Sequence, residues 1–215
     1  MMASLYGPPS RRAILSGGAA FALAGCANLI GPPPAPQIYA LHPDFAALAN
    51  APNVSWQLVV AQPAAPAVLD TQRIALERAP NVMDYYANAQ WPDPLPAMLQ
   101  SLLIEAFEKS GRIAAVAREG GNLRADYVLA TEIRTFESYY QVADTPPQIR
   151  VALVAKIFGA LSHNLAGATQ VQQEVQAAAN DLPSITAAFA QAAGAAVESI
   201  VTWTLTAASI GSKRA

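Results

Sequence analysis

The chain has 215 residues, of which 53% are hydrophobic and only 13% are charged. A chain of this length fits one domain with short flanking segments. The formal net charge is −2, from 13 basic and 15 acidic residues. Because nucleic-acid binding needs clustered lysines and arginines that neutralise phosphates, this composition argues against a nucleic-acid partner.

The N-terminal residues resemble an export signal. Arg11 and Arg12 precede an apolar run that ends in Leu23-Ala24-Gly25-Cys26. A basic segment, a short apolar segment and small residues before a cleavage point are typical of a secretory signal peptide. The single cysteine stands at that point, as in a bacterial lipobox, where the sulfur receives a diacylglycerol and acyl chains such as palmitate. We therefore predict a signal peptide over residues 1–25 and a lipid anchor at Cys26.

Other interpretations of this segment fit it less well. The apolar run from Ala13 to Ala24 is shorter than the ~20 residues that span a bilayer. A cysteine that packs in a core has no reason to end such a run. The export route stays open, because Ser10-Arg11-Arg12 also resembles a twin-arginine signal.

Prolines dominate the segment after the predicted anchor. Residues 26–37 contain Pro32-Pro33-Pro34 and Pro36, which favour a stiff, extended backbone. We predict that this segment is a tether between the lipid and the domain. Ala27 follows the anchor, and in the sorting known from enteric bacteria a non-acidic residue there resembles an address at the periplasmic face of the outer membrane.

The rest of the chain alternates short apolar runs with two longer amphipathic segments. Period-two alternation predicts strands, and apolar residues spaced by three and four predict helices. The predicted strands lie at residues 38–41, 56–61, 73–78, 82–86, 112–118, 126–140, 149–157 and 171–175. Asp93 is the predicted cap of a helix that ends at Gly111, and Asp181 opens a second helix that reaches Thr206.

These elements predict an α+β fold. Consecutive strands separated by short turns favour a mostly antiparallel sheet, with the mid-chain and C-terminal helices packed on one face. The strand at 171–175 is polar and is predicted to lie near an edge of the sheet. We predict one domain over residues 38–208 and a flexible tail over residues 209–215.

The sequence contains no recognisable catalytic set. His42 follows a strand and His163 lies in a turn, and no metal-binding or phosphate-binding motif is present. Glu132 and Glu137 lie five apart on one predicted strand, so a regular strand would place them on opposite faces. We therefore predict a protein that is not an enzyme and that carries no metal and no cofactor.

Three aromatic residues surround a proline-rich connector. Tyr85 and Tyr86 end a predicted strand, and Trp91 precedes Pro92. Aromatic side chains at such a place form either ordinary core or a surface that contacts a partner or a lipid. The sequence leaves both interpretations open.

The chain resembles the auxiliary lipoprotein component of ABC-type lipid transport systems, the small lipoproteins that accompany MCE-type and paraquat-inducible transport proteins. The lipobox and the tether carry part of this resemblance. The remaining matches are Tyr39-Ala40-Leu41, Arg73-Ile74-Ala75-Leu76, Tyr85-Tyr86, Ala89-Gln90-Trp91, Pro94-Leu95-Pro96, Ser110-Gly111-Arg112, Ala125-Asp126-Tyr127-Val128-Leu129 and Ile200-Val201-Thr202-Trp203. The segment after Ala168 departs from the family pattern in being rich in Gln.

The resemblance implies a non-catalytic, lipid-anchored periplasmic subunit. Its partners would be an MCE-domain substrate-binding protein and the ABC permease and ATPase, which are different chains. The resemblance also allows a homo-oligomer. The alternative is an outer-membrane lipoprotein that regulates cell-wall or envelope assembly through protein binding.

Overall fold

Alternating apolar side chains build a mixed sheet that two long helices cover on one face. The computed structural model describes residues 35–45 and 51–211, with side chains up to residue 207. The predicted signal peptide, the lipobox and most of the tether lie outside the described residues. In the described part of the chain the strands are β1 (Gln37–Ile38), β2 (Gln57–Val60), β3 (Arg73–Ala79), β4 (Val82–Gln90), β5 (Ala115–Arg118), β6 (Tyr127–Tyr139), β7 (Gln148–Gly159) and β8 (Leu165–Gln176).

The prediction of a mostly antiparallel sheet is wrong. Four of the seven strand pairings are parallel, namely β1 with β4, β2 with β5, β2 with β6 and β3 with β6. The antiparallel pairings join β3 with β4, β6 with β7 and β7 with β8. Parallel partners such as Leu58 and Tyr127 lie far apart in sequence, and local periodicity carries no information about such pairs.

Strand β6 is the centre of the sheet, because three strands pair with it. On one edge it pairs with β7 along its whole length. On the other edge β2 pairs with its first residues and β3 with Ser138 and Tyr139. Between these two strands Ala64 forms an isolated parallel bridge with Glu132. Residues 57–64 therefore pair along the first part of this edge of β6, and residues 73–79 pair at its end.

The predicted antiparallel pairing of consecutive strands holds for β6, β7 and β8, and the predicted edge position of the last of them is confirmed. Strand β8 pairs only with β7 among the described strands. It is longer than predicted, since it begins at Leu165. A register shift between Ile133 and Thr135 places a bulge in β6.

Helix α1 (Leu95–Ser110) begins at prolines and ends at a glycine. Pro94 occupies the N-cap position with no side-chain hydrogen bond, so the prediction that Asp93 caps this helix is wrong. Gly111 ends the helix at φ +59°, and its N–H donates to the Glu108 carbonyl. That positive φ is a conformation that glycine adopts without steric cost, so the predicted stop at Gly111 is confirmed.

Helix α2 (Leu182–Gly211) is the longest element. The Asp181 carboxylate accepts the Ser184 N–H at 2.8 Å, which confirms it as the opening residue. The helix continues past Thr206 to Gly211, so it extends into the segment predicted as a tail. It is long and apolar enough to cross a membrane, but 56% of its most apolar window is buried inside the protein. In this fold it serves as a core helix.

The hydrophobic core lies between the helices and the sheet. Both helices pack on the sheet and on each other. Three aromatic rings form its centre: Trp91 meets Phe136 and Phe189 edge-on, and Phe136 stacks on Phe189 with ring centroids 5.1 Å apart. Strand β7 contributes an inward row that is fully buried, comprising Ile149, Val151, Leu153, Ala155 and Ile157.

Candidate functional site

The three aromatic residues singled out from the sequence do not share one surface. Trp91 is 1% exposed and belongs to the core described above. Tyr85 and Tyr86 are neighbours on β4 and point to opposite sides of that strand. Core packing is therefore the correct interpretation of Trp91.

Tyr85 is held in place by two contacts. The Arg73 guanidinium lies 3.7 Å above the centroid of its ring, a cation–π arrangement. Its hydroxyl donates to the Val68 carbonyl at 3.0 Å. Tyr85 thus fastens the segment that connects β2 with β3 to strand β4.

Tyr86 belongs to a chain of hydrogen bonds. The Tyr140 hydroxyl donates to Asn180 Oδ1 at 2.8 Å, and the Tyr86 hydroxyl lies 2.9 Å from Tyr140 Oη. Because Tyr140 uses its proton toward Asn180, Tyr86 is the donor to Tyr140. Burial, together with this hydrogen bond, raises the pKa of Tyr86 far above its ordinary value. The phenol therefore stays protonated at any physiological pH, and it links β4 to the residues that precede α2.

A small cavity adjoins this hydrogen-bond chain. It holds about 260 Å³ and includes Arg78 and Asp144 in its lining. Val82 and Met83 follow the turn between β3 and β4 and are 54% and 37% exposed, and Val142, next in sequence to Ala143 of the lining, is 63% exposed. We call this region the tyrosine end; it comprises Arg78, Val82, Met83, Tyr86, Tyr140 and Val142. Several exposed apolar side chains at one end of a domain are typical of a protein-binding surface.

Of the tyrosine end, only Tyr86 is a candidate site residue on the sequence alone. Arg78 and Tyr140 come together with it because β3 and β6 run parallel and end at the same level, where the Tyr140 N–H donates to the Glu77 carbonyl at 2.9 Å. The only sequence signal was the pair Tyr139-Tyr140 at the end of a predicted strand. Without the parallel pairing, that signal could not be assigned to the same place.

The acidic residues of β6 differ from the prediction because of the bulge. Glu132 pairs with Val154 and Glu137 with Arg150. Those two β7 residues lie on one face, so both carboxylates also lie on one face and the prediction of opposite faces is wrong. Their partners are four residues apart, which separates the carboxylates by ~13 Å along the strand. That distance exceeds the spacing at which two carboxylates act on one glycosidic bond.

Glu137 lies instead beside Glu77. Glu137 is 9% exposed. Burial raises the pKa of Glu137, the negative charge of Glu77 and a hydrogen bond to it act in the same direction, and Arg150 opposes them. The Arg150 guanidinium also lies 3.3 Å above the Tyr139 ring. Glu137, Glu77, Arg150 and Tyr139 therefore form one cluster on the outer face of the sheet.

Neither histidine joins a cluster of ligands. Among residues 35–45 and 51–211, no group of three or more histidine, cysteine or acidic side chains could hold a metal ion. His42 lines a groove beside α2, and His163 lies in the turn between β7 and β8 at φ +54°. The lipidation and cleavage residues Leu23, Ala24, Gly25 and Cys26 lie outside the described residues.

The sequence profile of one protein family covers most of the domain. The ABC-type transport auxiliary lipoprotein component family matches residues 39–201. The chain belongs to this family. The family membership expected from the sequence is thereby confirmed.

Solved structures place this auxiliary lipoprotein in a group with a common fold. The protein XCC0632 from Xanthomonas campestris is 33% identical, with a TM-score of 0.77 over 82% of this chain and 99% of that protein. Another solved structure, of an uncharacterized protein, is 16% identical with a TM-score of 0.61, over 78% of this chain and 97% of that one, and shows the fold alone.

A relative in sequence is considerably longer. The protein bll6063 from Bradyrhizobium diazoefficiens is 30% identical over 107 residues. That match covers 50% of this chain and 28% of the relative. The chain thus matches little more than a quarter of that relative's length.

Proposed function

We propose that this auxiliary lipoprotein is a non-catalytic accessory subunit of an ABC/MCE-type lipid transport system that works between the inner and outer membranes. The family match over residues 39–201 carries the proposal. The lipobox sequence ending in Cys26 supports a membrane-anchored role. The subunit would hold a binding domain at a membrane face, while the permease and the ATPase reside in other chains.

The anchor is tested by changing its attachment residue. Cys26→Ala should move the protein from the membrane fraction to the soluble periplasmic fraction, because one cysteine sulfur carries the diacylglycerol. Ala27→Asp is the matched control, since it keeps the anchor and should move the protein from the outer to the inner membrane. Continued membrane association of the Cys26→Ala protein would contradict the proposed anchor.

We propose that the tyrosine end is the surface that docks with the MCE-domain protein. Its exposed valines and methionine support this, because a partner that covers exposed apolar side chains removes their surface from water, which is favourable. A complex solubilised in mild detergent and purified through the lipoprotein should contain the MCE-domain protein, the permease and the ATPase. Light scattering of the lipoprotein alone would give its number of copies and test whether it forms the homo-oligomer that the resemblance allows.

A pair of double variants tests the docking surface. Val82→Ser with Val142→Ser should reduce recovery of the MCE-domain protein by about tenfold, since each loses buried apolar area on binding. Leu161→Ser with Leu165→Ser is the control, because it removes two exposed leucines at the opposite end of β6 and β7. Equal recovery with both double variants would reject the tyrosine end as the docking surface. If none of the transport proteins is recovered with the unmodified chain, the proposed function itself is rejected.

A further inference from the structure

Arg78 presents an unpaired guanidinium at the tyrosine end. Its side chain is exposed, and in the part of the chain that the structure describes it forms neither a hydrogen bond nor an ion pair. The backbone beside it is fixed, because the Glu77 carbonyl accepts the Tyr140 N–H and Glu77 Oε1 accepts the Asn81 N–H, each at 2.9 Å. The five N–H donors of the guanidinium are therefore available at a fixed place on the surface.

The cavity that Arg78 lines offers further donors. The Tyr86 hydroxyl donates to Tyr140, and the Tyr140 hydroxyl donates to Asn180 Oδ1, so both phenolic protons are already used. The Asn180 amide nitrogen has no acceptor among the described residues, and Asn180 lines the same cavity. Burial raises the pKa of Tyr86, and the positive charge of Arg78 opposes that effect, so this charge reaches the phenol. The cavity thus combines a cation with a free amide donor.

The size of the cavity restricts what can enter it. Its volume of about 260 Å³ is below the ~300–1,000 Å³ of pockets that enclose a drug-sized ligand. A lipid with acyl chains is larger than such a ligand. One side chain of a docking partner suits this space better.

A partner that covers the tyrosine end would take Arg78 out of water. Val82 and Met83 follow the turn after Arg78, and burial of their exposed surface would bury the guanidinium beside them. A guanidinium that loses water without gaining a counter-charge is costly. The acidic residue of the cavity lining, Asp144, forms no ion pair with Arg78. The counter-charge is therefore expected from the partner.

We propose that an Asp or Glu side chain of the docking partner enters this cavity and pairs with Arg78. The proposal rests on the proposed docking at the tyrosine end and adds the chemistry of the partner's anchoring residue. A carboxylate accepts two parallel hydrogen bonds from a guanidinium, and the Asn180 amide supplies a further donor. Apolar side chains of the partner cover Val82 and Val142 around this pair, and the exclusion of water strengthens it.

A test without the transport proteins uses the full chain in detergent and random peptides with amidated C-termini, in which side chains carry the only carboxylates. Peptides that bind the unmodified chain but not the protein with Val82→Ser and Val142→Ser are ligands of the tyrosine end. Each should contain an Asp or Glu whose replacement by Asn or Gln weakens binding by at least about tenfold. The same replacement should have little effect on binding to the Arg78→Gln protein, because both changes remove one interaction.

Two results of the peptide test would overturn the proposal. One is a set of peptides that bind this surface without such an acidic residue. The other is the absence of any peptide that binds the tyrosine end.

Two further variants identify the source of the charge effect, with circular dichroism to establish that all variants are folded. Asp144→Asn should strengthen peptide binding or leave it within about twofold, because it removes a negative charge near the incoming carboxylate. A loss equal to that of Arg78→Gln would identify Asp144 as the partner of Arg78 and overturn the proposal. Arg124→Gln is the matched control, because Arg124 is also exposed, has no ion pair among the described residues and precedes the opposite end of β6. Equal losses from Arg78→Gln and Arg124→Gln would indicate general attraction to positive charge and would also overturn it.

The same substitution applies to the purified complex. Arg78→Gln should reduce recovery of the MCE-domain protein by about tenfold, and unchanged recovery would overturn the proposal. Failure to recover that protein with the unmodified chain counts against the proposed function alone, because the peptide measurements do not use it.

Discussion

The indole of Trp91 shows how burial decides between two roles for one residue. With 1% of its surface exposed and two edge-on phenylalanine neighbours, it is a packing residue. Trp91→Ala should lower the free energy of unfolding by about 3–5 kcal/mol, because it removes a large side chain and leaves a cavity. Urea denaturation measures this, with Val142→Ala at an exposed site as the control. A loss below about 1 kcal/mol would contradict the core assignment.

Glu137 gives the protein a stability that depends on pH. Its pKa is raised in the folded state, mainly by burial and then by Glu77, above its ordinary value near 4.5. The favourable contribution is complete below about pH 4.5 and is lost as the pH rises through the folded value. Glu137→Gln stays neutral, so it should be more stable than the unmodified chain at pH 7 and equal to it at pH 4.

Thermal unfolding at both pH values measures this difference. Glu132→Gln is the control, because that more exposed carboxylate lies beside Arg134, with Glu132 Oε2 3.0 Å from Arg134 Nη2. It should give no gain at pH 7. An equal gain from both substitutions would show that general charge removal, and not burial of Glu137, is the cause.

At the residue scale, the sequence indicates candidate site residues but not which side chains pack around them. Tyr85, Tyr86 and Trp91 were chosen because they are aromatic and close in sequence. Tyr86 anchors a surface cluster, whereas Trp91 fills the core, and residue type alone does not distinguish these environments. What decides the difference is tertiary packing against Phe189 from α2, almost 100 residues later.

At the scale of elements, Gly194 determines how closely the N-terminal segment approaches α2. A Cβ at this position would lie 2.8 Å from Pro43 Cβ, closer than two carbons can pack. Gly194→Ala should therefore destabilise the protein by about 1 kcal/mol, although alanine favours helix, because the overlap costs more than the helix propensity gains.

The control for Gly194 is another helix position without the close contact. Gln191→Ala, at an exposed residue of α2, should change the melting temperature little or raise it slightly. Differential scanning calorimetry compares the two variants. A melting temperature of the Gly194→Ala protein above that of the unmodified chain would show that Pro43 moves away at no cost.

The elements with strong periodic patterns were predicted to within a few residues. Helix α1 and strands β6 and β7 have apolar residues in regular rows, and all three appear where the pattern placed them. Strand β8 was predicted at 171–175 and is observed at Leu165–Gln176. Its first residues contain Gly167 and alanines, which have low strand propensity, and pairing with β7 extends the strand across them.

At the scale of the whole molecule, the sequence predicted the helices and strands but not the relative direction of the paired strands. Two helices and a set of strands were expected, and family membership followed from matches spread along the domain. The parallel pairings were missed because they join residues about 50 to 70 positions apart, such as Leu58 with Tyr127 and Leu76 with Ser138. Short turns favour hairpins, whereas parallel strands need long connections, and the sequence does not mark which strands such connections bring together.

The central position of β6 also sets an order of events in time. Strands β6, β7 and β8 join through short turns, so they can pair as soon as they exist, because closing a short loop costs little entropy. Strands β2 and β3 can form their parallel pairings with β6 only after β6 has been made. During synthesis from the N-terminus, β3 can pair with β4 and β2 with β5, but one edge of β2 and one edge of β3 have no partner until residues 127–139 have followed. Completion of the sheet therefore depends on a strand that comes after more than half of the chain, which makes the central pairings late events in folding.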